Sequence, residues 1–205
     1  MNTPKLSILS AFYNEEQFVD KLLDSIPRRD GIEVIARDDA STDNTYAKLL
    51  AYKDAHPELN LTVLHDDVNH GAFYNANRLL EAANGEYIHF LDGDDFLYTD
   101  LYNAAIDQLD GTDCVYINLR INSGITFVLS EESRVALCAP TTKFVRRAFA
   151  EGIRFPEHEK NAGDWYYNQE LLGRHPTSKF TQICAYHYNH PREGSIYDRL
   201  SKGLL

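Results

Sequence analysis

The chain has 205 residues, of which 43% are hydrophobic and 25% are charged, a balance that excludes disorder as a description of the whole protein. Its formal net charge of −11 disfavours extended contact with a nucleic-acid backbone or with anionic lipid. The sequence has no run of about 18 apolar residues that would predict a membrane span and no signal peptide at its start, so we expect a cytoplasmic protein.

The first half of the chain alternates short apolar strands with amphipathic helices. Asn14 is predicted to cap the first helix, Pro27 to end it, and Gly85 to cap the third helix. Alternation of this kind predicts an α/β fold, with a mainly parallel sheet that helices cover on both faces. The predicted strands are 6–11, 32–36, 61–64 and 86–91, and the predicted helices are 18–26, a segment around 47–51, and 72–83.

The alternation stops after about residue 112. Because the sequence has no linker and no internal repeat, we expect one domain over residues 1–205, with a nucleotide-binding half at 1–111 and a smaller half at 112–205. The smaller half would supply the other wall of a cleft. Its predicted strands are 114–119 and 125–129, which form a hairpin, and 182–188; its predicted helices are 142–150 and 165–172.

Several predicted strands run into polar loops at their carboxyl ends, where parallel α/β sheets bind ligands. Asp92, Asp94 and Asp95 follow the fourth strand. Crowded carboxylates repel one another unless a cation lies between them, and their oxygens suit Mg²⁺ or Mn²⁺. The alternative is a solvated acidic turn.

Asp39 lies at the end of the second predicted strand. A carboxylate in this place can accept hydrogen bonds from a nucleobase or from ribose hydroxyls. The alternative is a loop whose residues cap the next helix, but capping explains only one residue of the polar segment 38–43.

Residues 6–16, 37–43 and 85–95 together resemble the family 2 glycosyltransferases, in order and in spacing. The resemblance implies a GT-A fold, which is Rossmann-like, with a smaller acceptor-side C-terminal half. It implies an inverting enzyme that moves a sugar from a nucleoside-diphosphate donor, with a UDP-sugar favoured, to a hydroxyl of a glycan or another acceptor. It also implies Mn²⁺ or Mg²⁺ as the cofactor.

The resemblance assigns roles to individual residues. Asp164 corresponds to the family's catalytic base, although its position also suits a cap for the helix predicted from residue 165. The implied metal ligands are Asp94, Asp92 and Asp95, and His187 and His190 stay open as further ligands. The implied donor-binding residues are Ala11, Tyr13, Glu15, Asp39, Asn69, Gly71, Asn77, Asp92, Gly93, Arg192 and Ser195.

The chain departs from the family pattern at three positions. Ala76 stands where the family often has Arg, Gly163 where it often has Glu, and Asn189 where it usually has Arg. Arg192 is the substitute that we expect to contact the diphosphate, since a guanidinium binds phosphate oxygens in a bidentate manner; the alternative is a solvated surface arginine.

Two other functions stay open. A nucleotidyltransferase on a related α/β scaffold would carry a Gly-rich, basic loop after its first strand, whereas residues 11–16 are aromatic and acidic. A non-catalytic carbohydrate-binding relative would not need all four of Asp39, Asp92, Asp94 and Asp164. The short second half leaves room for a homo-oligomeric partner to complete an open acceptor site.

Overall fold

The computed structural model describes residues 3–133, 139–159 and 162–193. Strands and helices alternate through the first half, as predicted. The strands are β1 (Leu6–Phe12), β2 (Ile32–Asp39), β3 (Leu61–Asp66), β4 (Tyr87–Phe90), β5 (Phe96–Leu97), β6 (Cys114–Ile121), β7 (Thr126–Phe127), β8 (Lys143–Arg146) and β9 (Ser178–Tyr188). The helices are α1 (Val19–Ser25), α2 (Thr45–Ala55), α3 (Ala72–Ala82), α4 (Thr99–Ile106) and α5 (Gly163–Gly173), with a 3₁₀ turn at Pro140–Thr142.

The strands form one sheet in the order β3-β2-β1-β4-β8-β6-β9-β5, and β7 pairs with β6. The first four strands are parallel to one another, so their carboxyl ends lie along one edge. β8 is antiparallel to both of its neighbours and joins the two halves of the chain into a continuous sheet. The predicted α/β class with a mainly parallel sheet is confirmed.

Apolar side chains fill both faces of the sheet because successive residues of a buried strand point to opposite sides. On β1, Ile8 belongs to a core cluster with Leu22 of α1 and Leu49 of α2. Its neighbour Leu9 belongs to a second cluster with Leu79 of α3. The helices therefore cover the two faces, and the strand ends between them stay open for a ligand.

The helix predicted at 142–150 is wrong. Residues 143–146 form β8, in which Phe144 pairs with Val115 of β6 and Val145 pairs with Ile88 of β4. The apolar spacing is compatible with a helix, but pairing with two distant strands decides the conformation. The sequence analysis also missed α4.

Two predicted caps are also wrong. α1 begins only at Val19, and Asn14 adopts a left-handed conformation with φ 56°, in which its side chain accepts a hydrogen bond from the Thr42 N–H at 2.7 Å. Gly85 lies beyond the cap residue of α3. A Cβ at Gly85 would lie 2.6 Å from the Ser7 nitrogen, so close strand packing requires glycine there.

The hairpin predicted at 114–119 and 125–129 is observed as the antiparallel pair β6–β7. The late strand predicted at 182–188 is the second part of β9. Across the described ranges, no helix is both long enough and apolar enough to cross a membrane.

Candidate active site

A cavity of about 420 Å³ lies beyond the carboxyl ends of β1 and β4. Its walls come from α3, from the first turn of α5 and from the segment that follows β9. It brings together seven residues predicted for the site from the two halves of the chain. These are Ala11, Glu15, Asp92, Gly93, Asp94, Asp164 and Arg192.

Arg192 connects two acidic residues of this cavity. Its Nε lies 2.7 Å from Oδ2 of Asp94, and its Nη2 donates a 3.1 Å hydrogen bond to Oε1 of Glu15. The other carboxylate oxygen of Glu15 is buried and has no hydrogen-bond partner among the described residues. Burial raises the pKa of Glu15 to about 7, although the positive charge of Arg192 opposes this shift.

Asp92 and Asp164 both line the cavity, and the negative charge of Asp164 acts on Asp92. Both residues are exposed to solvent in the cavity, although many protein atoms surround their carboxylates. Withdrawal from bulk solvent, and then the negative charges of Asp94, Asp164 and Glu15, raise the pKa of Asp92 well above its ordinary value. Burial raises the pKa of Asp164 to about 6, and the neighbouring Lys143 opposes the increase.

Asp164 lies in the first turn of α5, whose cap residue is Ala162. Within the described part of the chain, no side chain makes a capping hydrogen bond at this helix start, so the carboxylate of Asp164 is not used as a cap there. The preceding residue, Gly163, is buried against the ring of Phe73, and a Cβ there would lie 2.5 Å from two ring carbons. The sequence analysis did not predict that Phe73 belongs to this site. The signal was Gly163, which stands where the family often has Glu and leaves room for the Phe73 ring.

Asp95 does not reach the cavity. It is 1% exposed, and its two carboxylate oxygens accept hydrogen bonds from the Tyr186 hydroxyl and, at 2.7 Å, from the Asn189 N–H. These bonds tie the turn after β4 to β9. The geometry favours a structural role for Asp95 over the metal ligation that was expected of it.

Asp39 also lies outside the cavity wall, buried at the end of β2. Its carboxylate accepts hydrogen bonds from the backbone N–H groups of His70 and Gly71, each at 2.8 Å. The Asn69 side chain donates to its carbonyl at 3.3 Å. The structure therefore brings together three residues predicted for donor binding, in a unit that holds the loop before α3.

Three other predicted residues lie apart from the cavity or beyond the described chain. Asn77 is buried, and its amide bonds to the Phe155 backbone and the Glu157 carboxylate, so it holds α3 to that segment. Tyr13 is exposed and does not line the cavity. Ser195 lies outside the described residues.

The two histidines left open as metal ligands differ in their surroundings. Both ring nitrogens of His187 are in hydrogen bonds, at 2.9 Å to the Tyr98 hydroxyl and at 2.8 Å to the Asn122 side-chain oxygen. His190 lines the cavity and stacks on Tyr188. His187 is thus held in structural contacts.

Asp94 and Asp92 are the carboxylates that remain available to a divalent cation. Among the described residues, no three His, Cys, Asp or Glu side chains are arranged to hold a metal by themselves. This donor set fits Mg²⁺ or Mn²⁺, which proteins commonly hold with one or two carboxylates while substrate phosphates and water complete the shell. The unpartnered oxygen of Glu15 is a further hard donor beside Asp94.

The sequence profile described as "Glycosyl transferase family 2" matches residues 7–169, which include every cavity carboxylate. The chain belongs to glycosyl transferase family 2. Among similar proteins, poly(ribitol-phosphate) beta-N-acetylglucosaminyltransferase TarS from Staphylococcus aureus (strain Mu50 / ATCC 700699) is 28% identical over an alignment of 210 positions that covers 93% of this chain and 36% of TarS. The putative glycosyltransferase EpsH from Bacillus subtilis (strain 168) is 34% identical over an alignment of 122 positions that covers 57% of this chain and 35% of EpsH.

Solved structures of similar proteins have the same fold. The crystal structure of S. aureus TarS 1-349 in complex with UDP-GlcNAc superposes with a TM-score of 0.77 at 27% identity and covers 93% of this chain. A mannosyltransferase from Pyrobaculum calidifontis, in complex with GDP-Man and Mn²⁺, superposes with a TM-score of 0.75 at 20% identity over 98% of this chain, which shows the fold alone. The chain spans about a third of the length of the curated relatives that it matches and 60% of that TarS chain.

Proposed function

We propose that the chain is an inverting glycosyltransferase that moves a sugar from a nucleoside diphosphate to an acceptor hydroxyl. The observation that carries the proposal is the convergence of Asp92, Asp94, Asp164 and Arg192 on one cavity at the carboxyl ends of the parallel strands. Since the sheet continues from β4 through β8 to β6, we propose one domain whose halves, 1–111 and 112–205, form the two walls.

The donor in this proposal is a UDP-sugar, which the UDP-GlcNAc complex of TarS supports. Its nucleotide would lie along the ends of β1 and β4, beside Ala11 and Gly93. A Cβ at Gly93 would lie 2.8 Å from the Ala11 carbonyl oxygen, so glycine allows the two strand ends to stay close. Asp39 would act indirectly. Its hydrogen bonds would hold the loop at residues 69–71 in position to contact the nucleobase.

Asp94, with Asp92, would hold Mn²⁺ or Mg²⁺ in the loaded enzyme. The bound cation would offset the negative charge that develops on the leaving diphosphate. Arg192 forms ion pairs with Asp94 and Glu15, so its guanidinium is in place to bind the diphosphate beside these carboxylates.

Asp164 would be the general base. Its carboxylate opens to the cavity and would accept the proton of the acceptor hydroxyl as the oxygen attacks the anomeric carbon. Attack from the side opposite the diphosphate inverts the configuration of that carbon. The bond from the sugar to the diphosphate breaks as the new glycosidic bond forms.

The test is to supply the chain with UDP- and GDP-sugars, Mn²⁺ and a mixture of glycans, and to measure nucleoside diphosphate release and the products by mass spectrometry. We expect diphosphate release by the wild type and by the exposed control Asp107→Asn, and a strong loss in Asp164→Asn. Release of pyrophosphate would instead identify nucleotidyl transfer. If the chain binds sugars but turns over no donor, it is a carbohydrate-binding protein and the proposal is overturned.

A further inference from the structure

A second cavity, of about 260 Å³, adjoins the first on the side of the smaller half. Asp92, Pro140, Asp164, Tyr188 and His190 line both cavities. The two spaces therefore meet at the proposed general base. A molecule in the second cavity would have direct access to Asp164 from the side opposite the nucleotide-binding strands.

One wall of the second cavity is an apolar surface built by strand register. Leu119 and Ile121 are two residues apart on β6, so they share a face. Phe127 of β7 pairs with Leu119, and Tyr188 of β9 pairs with Ile121. These four side chains form the apolar wall, and Pro140 lies among the remaining lining residues.

Two basic side chains near this wall do not line the second cavity: Arg120, on the other face of β6, and Lys143, which is fully buried and donates to the Ala139 carbonyl at 2.7 Å. Arg120 stands between Leu119 and Ile121, and its Nε donates to the Thr126 hydroxyl at 3.1 Å, while its guanidinium lies over the Tyr98 ring. Among the described lining residues of the second cavity, none is Lys or Arg, and two are Asp. A negatively charged acceptor would meet the repulsion of these two aspartates, and no Lys or Arg among the described lining residues faces it.

The apolar surface continues outward along the hairpin. Ile125 and Val128, on either side of β7, are 57% and 60% exposed. The cavity volume also exceeds the roughly 150 Å³ that suffices to hold a benzene molecule in an apolar protein cavity. The space therefore suits one ring or a short alkyl group, with room for a longer chain to continue over the hairpin.

We propose that the second cavity is the acceptor subsite and that it takes a neutral glycoside with an apolar aryl or alkyl group beside the accepting sugar. The apolar group packs against Leu119, Ile121, Phe127 and Tyr188, and the sugar hydroxyl reaches Asp164. This inference rests on the proposed glycosyl transfer for its catalytic meaning, but the binding of the apolar group can be measured without a donor.

The experiment compares methyl, phenyl and octyl β-glycosides of glucose, galactose and N-acetylglucosamine, with glucose 6-phosphate as the anionic probe. Binding to the full chain is measured by saturation-transfer NMR titration without a donor. Because burying a ring or an alkyl chain removes apolar surface from water, we expect the phenyl and octyl glycosides to bind about tenfold more tightly than the methyl glycosides. We expect no binding of glucose 6-phosphate.

Phe127→Ala should remove most of the preference for phenyl and octyl glycosides. Leu50→Ala is the matched control, because it deletes an apolar side chain of similar exposure, 39% against 38% for Phe127, on α2 and away from the cavity lining, and it should keep the preference. Melting temperatures of both variants show whether the fold is kept. Equal binding of methyl and phenyl glycosides by the wild type, or an equal loss in both variants, would overturn the assignment, as would preferred binding of glucose 6-phosphate.

A separate measurement tests the activity on which the inference rests. UDP binding and UDP release from UDP-sugars are followed without any acceptor. If both are absent while phenyl glycosides still bind through Phe127, the proposed glycosyl transfer fails and the apolar subsite stands. If UDP-sugars bind and turn over but the aryl preference is absent, the subsite assignment fails and the transfer stands.

Discussion

Arg192 and Asp94 form an ion pair in which Nε lies 2.7 Å from Oδ2. The pair joins the segment after β9 to the turn after β4, across the mouth of the proposed donor site. A divalent cation at Asp94 would share that carboxylate with the guanidinium or displace it. Donor binding is therefore linked to the position of Arg192.

The first prediction concerns this residue. Arg192→Ala should weaken UDP binding by about 10- to 100-fold, since a hydrogen bond to a charged group contributes about 1.5–3 kcal/mol. Arg192→Lys keeps the charge but loses the bidentate geometry, so its affinity for UDP should lie between those of the wild type and Arg192→Ala. Isothermal titration calorimetry with UDP and Mn²⁺ measures both.

Arg29→Ala is the control, because Arg29 forms an exposed ion pair with Asp107 at 3.0 Å, on the surface. It should bind UDP like the wild type. If Arg192→Ala binds UDP more tightly than the wild type, Arg192 competes with the cation and does not contact the diphosphate.

A second prediction separates Asp94 from Asp95. Asp94→Asn should abolish Mn²⁺-dependent binding of UDP while the melting temperature stays near that of the wild type. Asp95→Ala should instead destabilise the fold, because it leaves the Tyr186 hydroxyl and the Asn189 N–H without their acceptor, at a cost of about 1–3 kcal/mol for each unsatisfied donor. For a chain of this size each kcal/mol lowers the melting temperature by about 2–4 °C.

Differential scanning fluorimetry and UDP titration on the two variants check this contrast. Asp95→Asn, which keeps one acceptor oxygen, should lie between Asp95→Ala and the wild type in stability. An Asp95→Ala variant that melts like the wild type but loses its response to Mn²⁺ would restore Asp95 as a metal ligand.

The parallel half of the fold and the central carboxylates could be predicted because their signals are local. The strand before Asp92 is a short apolar run, and Gly93 between acidic residues marks a strand end. Burial on both faces explains such runs without reference to distant partners. The cavity accordingly contains Asp92, Asp94 and Asp164, while their roles stay predictions.

The remaining features depend on partners that are distant in the sequence. Lys143–Arg146 becomes a strand because β4 and β6 offer it two edges. His187 is held by Tyr98 and Asn122, and Asn77 by Phe155 and Glu157. Local periodicity carries no information on such pairings, so these residues could not be assigned from the sequence.

A third prediction concerns Asp39. Asp39→Ala should weaken UDP binding at least about tenfold and also lower stability by about 1–3 kcal/mol, because the N–H groups of His70 and Gly71 lose a charged acceptor. Asp39→Asn should show smaller losses of both kinds. The exposed Asp67→Ala, in the same loop, serves as the control for UDP titration and thermal melting. Loss of UDP binding in Asp39→Asn with an unchanged melting temperature would show direct contact with the base instead.

The last prediction concerns the pH dependence that Asp164 imposes. A general base acts in its ionised form, and burial raises the pKa of Asp164 to about 6. The value of kcat/KM should therefore be low below this pH, rise as pH increases through about 6, and level off above it. Since the positive charge of Lys143 opposes the increase in the pKa of Asp164, Lys143→Met should move the rise to higher pH.

Asp164→Asn should lower the transfer rate by about 10²-fold or more and remove the rise near pH 6. Its melting temperature should stay close to that of the wild type, because a carboxylate in the first turn of a helix contributes only about 0.3–1 kcal/mol through the helix dipole. UDP binding should also be kept, since Arg192 and Asp94 are unchanged. Rate profiles from pH 5 to 8 on the wild type, Asp164→Asn and Lys143→Met, with thermal melting of each, decide the assignment. If Asp164→Asn is fully active, or if Lys143→Met does not shift the rise in kcat/KM to higher pH, the proton transfer belongs to another group.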